Sequence, residues 1–310
     1  MELAINGETK LAGLVGGDTI TQSFSPMMHT ASFKEVGVNA VYLSLPIEMD
    51  QLKEVVAGLK DIAVGYNVTM PFKTYICEYM DELSPAAKLM GAVNTVEIRD
   101  GKCIGHNTDG AGFVENIKNV GFDPKGKIAT VIGAGGAGSA VFTQLALEQV
   151  EEIYVYNIKD SFWDSTEKRV AQLAEHTGVK VSLHDLNNRD ELKESIFVSD
   201  LLVNATKVGS GELEGQSSID EEMLHECLVV ADTVYKPLET KLIKMAKDYG
   251  LVTAGGVGML LQQAALAEKI WFGTDMPVAY IEKISSNNTC LGDQTLKRYS
   301  NSCGEEKCQK

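Results

Sequence analysis

The sequence predicts an α/β protein built as two α/β units, the second of them a doubly wound sheet of parallel strands. Three observations carry that prediction. From residue 127 onward, short β-branched runs that are apolar on both faces alternate with helical periodicity, the signature of strands buried in a parallel sheet. The first 110 residues alternate in a similar way. A glycine-rich G-x-G-x-x-G segment, 133–138, stands directly between one strand run and one helical run. The chain has 310 residues and is 44% hydrophobic, enough for two buried cores of about 150 residues each.

In the first unit, strands are expected near 10–16, 40–47 and 62–68, with helices near 26–37 and 49–59 between them. Residues 93–107 read as a hairpin turned at Asp100-Gly101, a dipeptide suited to a two-residue turn. In the second unit the strand runs are 127–134, 152–157, 179–185, 200–206, 228–235 and 251–256. Helices are expected over 139–149, 164–178 and 237–250, and the last two end in glycine, a common helix stop. Such alternation gives a doubly wound sheet. The run 258–273 is too apolar to be solvated on all faces and is expected to return to the first unit. The expected division is 1–110, 111–256, 257–285, and a polar stretch 286–310 without periodicity that reads as disordered.

Bulk properties exclude several functions. The formal net charge is −15, which repels phosphate backbones and argues against nucleic acid or an anionic membrane as partner. There is no run of about 18 apolar residues to span a bilayer. The opening Met1 to Gly7 has no basic region followed by an apolar stretch, so a signal peptide is not expected. The six cysteines are scattered, with no C-x-x-C pair. Reduced thiols, a cytoplasmic location and no metal site follow as expectations. A homodimer stays open.

The 133–138 segment is specific because of its context. Gly133 allows the tight turn, Gly135 lets the backbone approach a pyrophosphate, and Gly138 lets the helix pack on the strand. The helix N-terminus adds free N–H groups and partial positive charge. A Rossmann-type dinucleotide site is expected here. The next strand ends in 156-YNIKD-160. A carboxylate at Asp160 would accept hydrogen bonds from a ribose 2′-hydroxyl and repel a 2′-phosphate, favouring NAD over NADP. Lys159 pulls the other way. Alternatively, Asp160 caps the helix beginning near Ser161.

Four polar clusters lie at element ends of the first unit: 23-SFSPMMH-29, 67-NVTMPFK-73, 91-GAVNT-95 and 105-GHNTDG-110. Ser23 and Ser25 precede Pro26, which suits the first helical position; one serine, most simply Ser25, would cap the helix, and both suit an anion. Lys73 follows a strand and a helix start at Pro71. Asp109 either caps the helix 110–120 or orients the lysine. A dehydrogenase must remove a hydroxyl proton as hydride leaves, and a partly desolvated lysine beside a carboxylate suits that task. Asn67, Thr69, Asn94 and Gln263 would give neutral hydrogen bonds to a polyhydroxylated substrate.

These clusters, with G-A-G-G-A-G-S-A at 133–140, N-A-T-K-V-G at 204–209, V-Y-K-P-x-x-T at 234–240 and G-x-G-M-L-x-x-Q-A-A at 256–265, resemble the shikimate dehydrogenase family. The resemblance covers about residues 10–285 and looks closest to the quinate/shikimate dehydrogenase branch. It implies a substrate-binding domain at 1–110, an NAD(P)-binding domain at 111–256 and helices at 257–285 packing on the former. It implies reversible oxidation of the C3 hydroxyl of shikimate or quinate, in aromatic amino acid biosynthesis or quinate use. Lys73 and Asp109 would be the catalytic pair. Ser23, Ser25, Asn67, Thr69, Lys73, Asn94, Asp109, Tyr235 and Gln263 would surround the substrate, the serines on its carboxylate. Gly133, Ala134, Gly135, Gly136, Ala137, Asn157, Lys159, Asp160, Thr206, Lys207, Val234 and Gly256 would line the dinucleotide.

Some positions depart from the common pattern. Ile158 stands where NADP-specific members carry an arginine. Asn157, Asp160 and Phe162 instead look like the branch that accepts NAD. Thr30 replaces the usual asparagine after the histidine, and Gly17-Asp18 replaces an Asn-Pro pair. The rival readings are a same-fold dehydrogenase for another cyclic substrate, such as an aminoshikimate, and a sensor that binds dinucleotide without turnover.

Overall fold

The structure, a computed structural model, describes residues 5–284. The stretch expected to be disordered, 286–310, lies outside the described residues. The chain forms two six-stranded sheets flanked by helices. The first uses β1 (Lys10–Gly16), β2 (Ala40–Pro46), β3 (Ala63–Val68), β4 (Glu82–Leu83), β5 (Thr95–Arg99) and β6 (Lys102–His106). Its order is β2-β1-β3-β5-β6-β4. The β1 pairings with β2 and β3 are parallel, while β5 runs antiparallel to β3 and β6. The β5–β6 turn is at Asp100 (φ 52°) and Gly101 (φ 72°), both in the left-handed region that the expected hairpin turn needs.

The helices of this part are α1 (Ser25–Val36), α2 (Leu52–Ile62) and α3 (Pro85–Met90). Neither α3 nor β4 stands out in the sequence, because each is too short to show periodicity. α3 opens at Ser84, whose hydroxyl accepts from the Ala87 N–H, and Pro85 fills its first position. Pro71 does not start a helix. It follows a cis peptide bond inside a turn, and the next helical turn is Tyr75–Tyr79.

α4 (Asp109–Asn119) leads into the second sheet, built from β7 (Ile128–Ile132), β8 (Glu152–Asn157), β9 (Lys180–Asp185), β10 (Leu201–Asn204), β11 (Val229–Asp232) and β12 (Thr253–Ala254). All its pairings are parallel, in the order β12-β11-β10-β7-β8-β9. That order is doubly wound, and its reversal point lies between β7 and β10, where ligands of such sheets bind. The intervening helices are α5 (Gly136–Leu147), α6 (Trp163–Thr177), α7 (Arg189–Val198) and α8 (Lys241–Asp248). Val131, Val141, Leu145, Val155 and Leu173 fill one face, and Ile132, Tyr156, Ile196, Leu202 and Leu242 the other.

β10, β11 and β12 are shorter than the apolar runs suggest. Beyond β11 the chain turns out of the sheet around Asp232, a buried carboxylate that takes hydrogen bonds from the Val234 N–H (2.9 Å), the Thr240 hydroxyl (2.6 Å) and the Asn204 amide (3.0 Å). Burial pushes this carboxyl above the usual range, and the three donors oppose that rise.

The final long helix, α9 (Gly256–Phe272), returns to the first sheet. Leu261 and Ala264 pack with Met28 of α1, and the Trp271 indole N–H donates to the Val96 carbonyl at 2.9 Å. α9 also lies along α4. A Cβ on Gly112 would sit 2.5 Å from the Gln263 backbone nitrogen, so the two backbones touch there. No helix among the described residues is long and apolar enough to cross a membrane, and none of their side chains forms a metal-ligating cluster.

Candidate active site

β3 ends at Val68, and the chain then turns tightly with the Thr69 N–H on the Val15 carbonyl and the Phe72 N–H on Thr69. Phe72 is buried and anchors the turn, and the Lys73 carbonyl accepts from the Val93 N–H at 2.8 Å. This aims the Lys73 ammonium at Asp109, where Nζ donates to Oδ2 at 2.6 Å. The Lys73 side chain is 27% exposed and that of Asp109 17%, so the pair is accessible but partly desolvated.

Asp109 does not cap α4; it is the first helical residue, preceded by Thr108. Its second oxygen, Oδ1, accepts from the Asn94 amide at 2.8 Å. Asn94 is buried and is itself held by Thr108, whose N–H donates to its Oδ1 at 2.8 Å. Asn67 donates to the Asn94 carbonyl and to the Thr95 hydroxyl. A connected network therefore runs from β3 through β5 to the start of α4.

The serines differ from the expectation. Ser25 is the first helical residue of α1 and caps nothing; Ser23 accepts its N–H at 3.2 Å and donates to its hydroxyl at 3.2 Å. Thr69 packs beside Gly16, where a Cβ would collide with its methyl at 2.6 Å. Gln263 donates to the Leu260 carbonyl of its own helix, and its backbone lies against Gly112, one turn after Asp109. Tyr235 follows β11 and is 45% exposed.

The glycine loop follows β7 directly. Gly133 has φ 101°, and a Cβ there would sit 2.8 Å from the Ala205 carbonyl oxygen beyond β10. A Cβ on Gly138 would strike the Gly133 carbonyl, whereas Gly135 and Gly136 face open space. The Ala134 N–H is held by Asn157 Oδ1 at 3.2 Å, and Ala137 lies in the uncapped first turn of α5. Thr206 donates to Asn204, Lys207 is exposed, and Gly256 lies against the Val234 carbonyl. The first turn of α4 packs on α5, the helix that the glycine loop opens, because a Cβ on Gly110 would meet the Ala140 carbonyl at 2.5 Å.

At the end of β8, Asp160 is exposed and uses Oδ1 to accept the Phe162 N–H at 2.9 Å. That bond forms the turn before α6 rather than a helix cap, and Oδ2 has no hydrogen-bond partner among the described residues. Lys159 leans on Asp185 at 3.7 Å and over the Trp163 ring at 5.3 Å. Three contributors were invisible in the sequence. Asp185 ends β9 beside Asn157. Arg169 of α6 donates to the Ser139 hydroxyl at 2.6 Å, and burial pulls its pKa below the usual guanidinium value. Tyr42 of β2 donates to Asn67 Oδ1 at 2.7 Å. Only a helical phase or a strand face recommends them, and many residues share that.

Residues 15–96 match the model of the shikimate dehydrogenase substrate binding domain, and 256–284 match that of the shikimate 5′-dehydrogenase C-terminal domain. The chain is 43% identical over 282 residues to the shikimate dehydrogenase (NADP(+)) of Listeria monocytogenes serotype 4b, covering 90% of this chain and 97% of that one. It is 38% identical to the quinate/shikimate dehydrogenase of an Escherichia coli O17:K52:H18 strain, covering 90% and 98%. The crystal structure of shikimate 5-dehydrogenase from Listeria monocytogenes in complex with shikimate and NAD superposes with a TM-score of 0.88 at 42% identity, covering 92% of this chain and 99% of that one.

Proposed function

The chain belongs to the shikimate dehydrogenase family, and we propose that it catalyses reversible NAD(P)-linked oxidation of the C3 hydroxyl of shikimate, quinate or both, with NAD preferred. The observation that carries this reading is the 2.6 Å contact between Lys73 and Asp109, braced by Asn94, one helix away from an open glycine loop.

The loop fits a dinucleotide. Gly135 and Gly136 leave space for a pyrophosphate, and the first turn of α5 has no side-chain cap on its N–H groups. When bound, the nicotinamide supplies the hydride acceptor, or the donor in the reverse direction. Lys73 Nζ takes the proton of the C3 hydroxyl and returns it in reduction. Asp109 orients Lys73, while Asn94 fixes the carboxylate. Ser23 and Ser25 donate to the substrate carboxylate. Asn67, Thr69, Tyr235 and Gln263 bind the ring hydroxyls. Pocket shape at C1, which carries an additional hydroxyl in quinate, sets the preference between the two acids.

Cofactor preference follows from charge at the end of β8. Asp160 keeps one oxygen for a ribose hydroxyl, Ile158 offers nothing to a phosphate, and Asp185 partly neutralises Lys159. One observation favours NADP as a second cofactor: Arg169 is partly buried with the Ser139 hydroxyl as its hydrogen-bond partner and no carboxylate paired to it among the described residues. Initial rates with shikimate or quinate, each with NAD or NADP, test the whole reading. Turnover with NAD above NADP is expected, and no turnover in any of the four combinations would overturn it.

A further inference from the structure

Behind the serine cluster lies a polar group that the proposed chemistry does not use. Glu268 of α9, with His29 and Ser32 of α1, is completely buried. Glu268 Oε1 accepts from His29 Nδ1 at 2.8 Å, and Oε2 accepts from the Ser32 hydroxyl at 2.6 Å. The carboxylate fixes the tautomer, with the proton on Nδ1, and leaves His29 Nε2 buried without a partner. The His29 ring stacks on Tyr42, with centroids 4.3 Å apart and planes 16° apart. The Tyr42 phenol is buried and held neutral, so it acts as a donor, and its neighbours are Asn67 Oδ1 and the Ser25 hydroxyl.

Burying a carboxylate and an imidazole costs more than burying apolar side chains of the same size. Fold stability alone therefore does not account for this group. Its geometry does suggest a use. Glu268 lies five residues after Gln263 on α9, so it ties the helix carrying Gln263 to the helix carrying Ser25. Through the His29–Tyr42 stack it also sets the position of Asn67.

We propose that Glu268, acting through His29 and Tyr42, is a positioning residue that sets the spacing between the two walls of the substrate pocket, Ser25 and Asn67 on one side and Gln263 on the other. The inference rests on the dehydrogenase reading above. Directional hydrogen bonds hold that spacing to a few tenths of an ångström, which a purely apolar contact between α1 and α9 would leave softer.

The test is steady-state kinetics of Glu268→Ala, Glu268→Gln and His29→Asn in the full chain, with KM for shikimate and for NAD measured separately and melting temperature recorded. Glu268→Ala is expected to raise the shikimate KM about tenfold or more, with the NAD KM within about twofold of wild type. Glu268→Gln keeps an acceptor for His29 and a donor for Ser32, and is expected to restore the shikimate KM. If Glu268→Ala does not fold, His29→Asn keeps the donor, removes the stacked ring, and is expected to raise the shikimate KM selectively. Equal rises in both KM values, a Gln variant as impaired as Ala, or unchanged shikimate KM in His29→Asn would each overturn the proposal. A wild-type chain that turns over neither acid would overturn the dehydrogenase reading and this inference together.

Discussion

Gly112→Ala is the sharpest probe of how closely α4 and α9 are spaced beside the site. The added Cβ would sit 2.5 Å from the Gln263 backbone nitrogen, 2.8 Å from its Cα and 2.9 Å from its Cβ. Two of these three atoms are backbone in the middle of α9 and cannot swing aside. To reach ordinary van der Waals contact near 3.4–4 Å, α4 and α9 must separate by about 1 Å. Overpacking of this kind costs about 1–3 kcal/mol. At the roughly 2–4 °C per kcal/mol typical of 150–250 residues, the melting temperature should fall by about 2–12 °C. The same shift moves Gln263 away from Asp109, and a misplacement of about 1 Å can lower kcat/KM by as much as about 100-fold. Gly58→Ala is the matched control. Gly58 lies inside α2 with nothing within 4 Å of its would-be Cβ, so the gain in helix propensity should stabilise by about 0.5–1 kcal/mol with no kinetic effect. Thermal unfolding by circular dichroism and initial rates with shikimate measure both. A Gly112→Ala chain with the melting temperature and kcat/KM of wild type would refute the contact between α4 and α9 as the ruler of the site.

Three further outcomes are expected. Lys73→Ala should cut turnover by roughly 10²–10⁴ while NAD binding, read by fluorescence titration, stays near wild type; undiminished turnover would remove Lys73 from proton transfer. Asp160→Ala should weaken NAD more than NADP in the same titration, and an unchanged ratio would reduce Asp160 to its turn-forming bond with Phe162. Asp232→Ala leaves the Thr240 hydroxyl, the Val234 N–H and the Asn204 amide without their shared acceptor. The cost is about 1–3 kcal/mol per donor left unsatisfied, and urea unfolding with an unchanged midpoint would contradict it.

Long elements with a strong period were legible in the sequence. β1, β3 and β8 fall within a residue of their apolar runs, and α6 lies within its periodic segment extended by one residue. The short α3 and β4 were not legible, and neither was the turn at Pro71, because two to six residues offer no period to read. The end of β11 was overrun for another reason. The apolar run continues past the sheet, but the backbone leaves the ladder to satisfy Asp232.

The catalytic candidates divide in the same way. Lys73, Asp109 and Asn94 stand in compact polar segments that flag themselves, since loops at strand ends are where polar side chains gather around a reacting group. Tyr42, Arg169, Asp185, His29 and Glu268 lie in the middle or at the end of ordinary strands and helices, and single residues there carry no local signature.

By itself, the sequence determined the alternation of strands and helices, the glycine loop and the family. Each of these rests on local backbone preference or on contiguous motifs. Only the tertiary structure decided that Asp109 accepts a hydrogen bond from Lys73 rather than capping α4, that Ser25 begins α1 instead of capping it, and that Glu268 of α9 bonds to His29 and Ser32 of α1. The Asp109 and Glu268 outcomes depend on hydrogen bonds between residues 36 and 239 positions apart, and a side chain's choice between a local cap and a distant partner is made only when packing brings the partner within 3 Å.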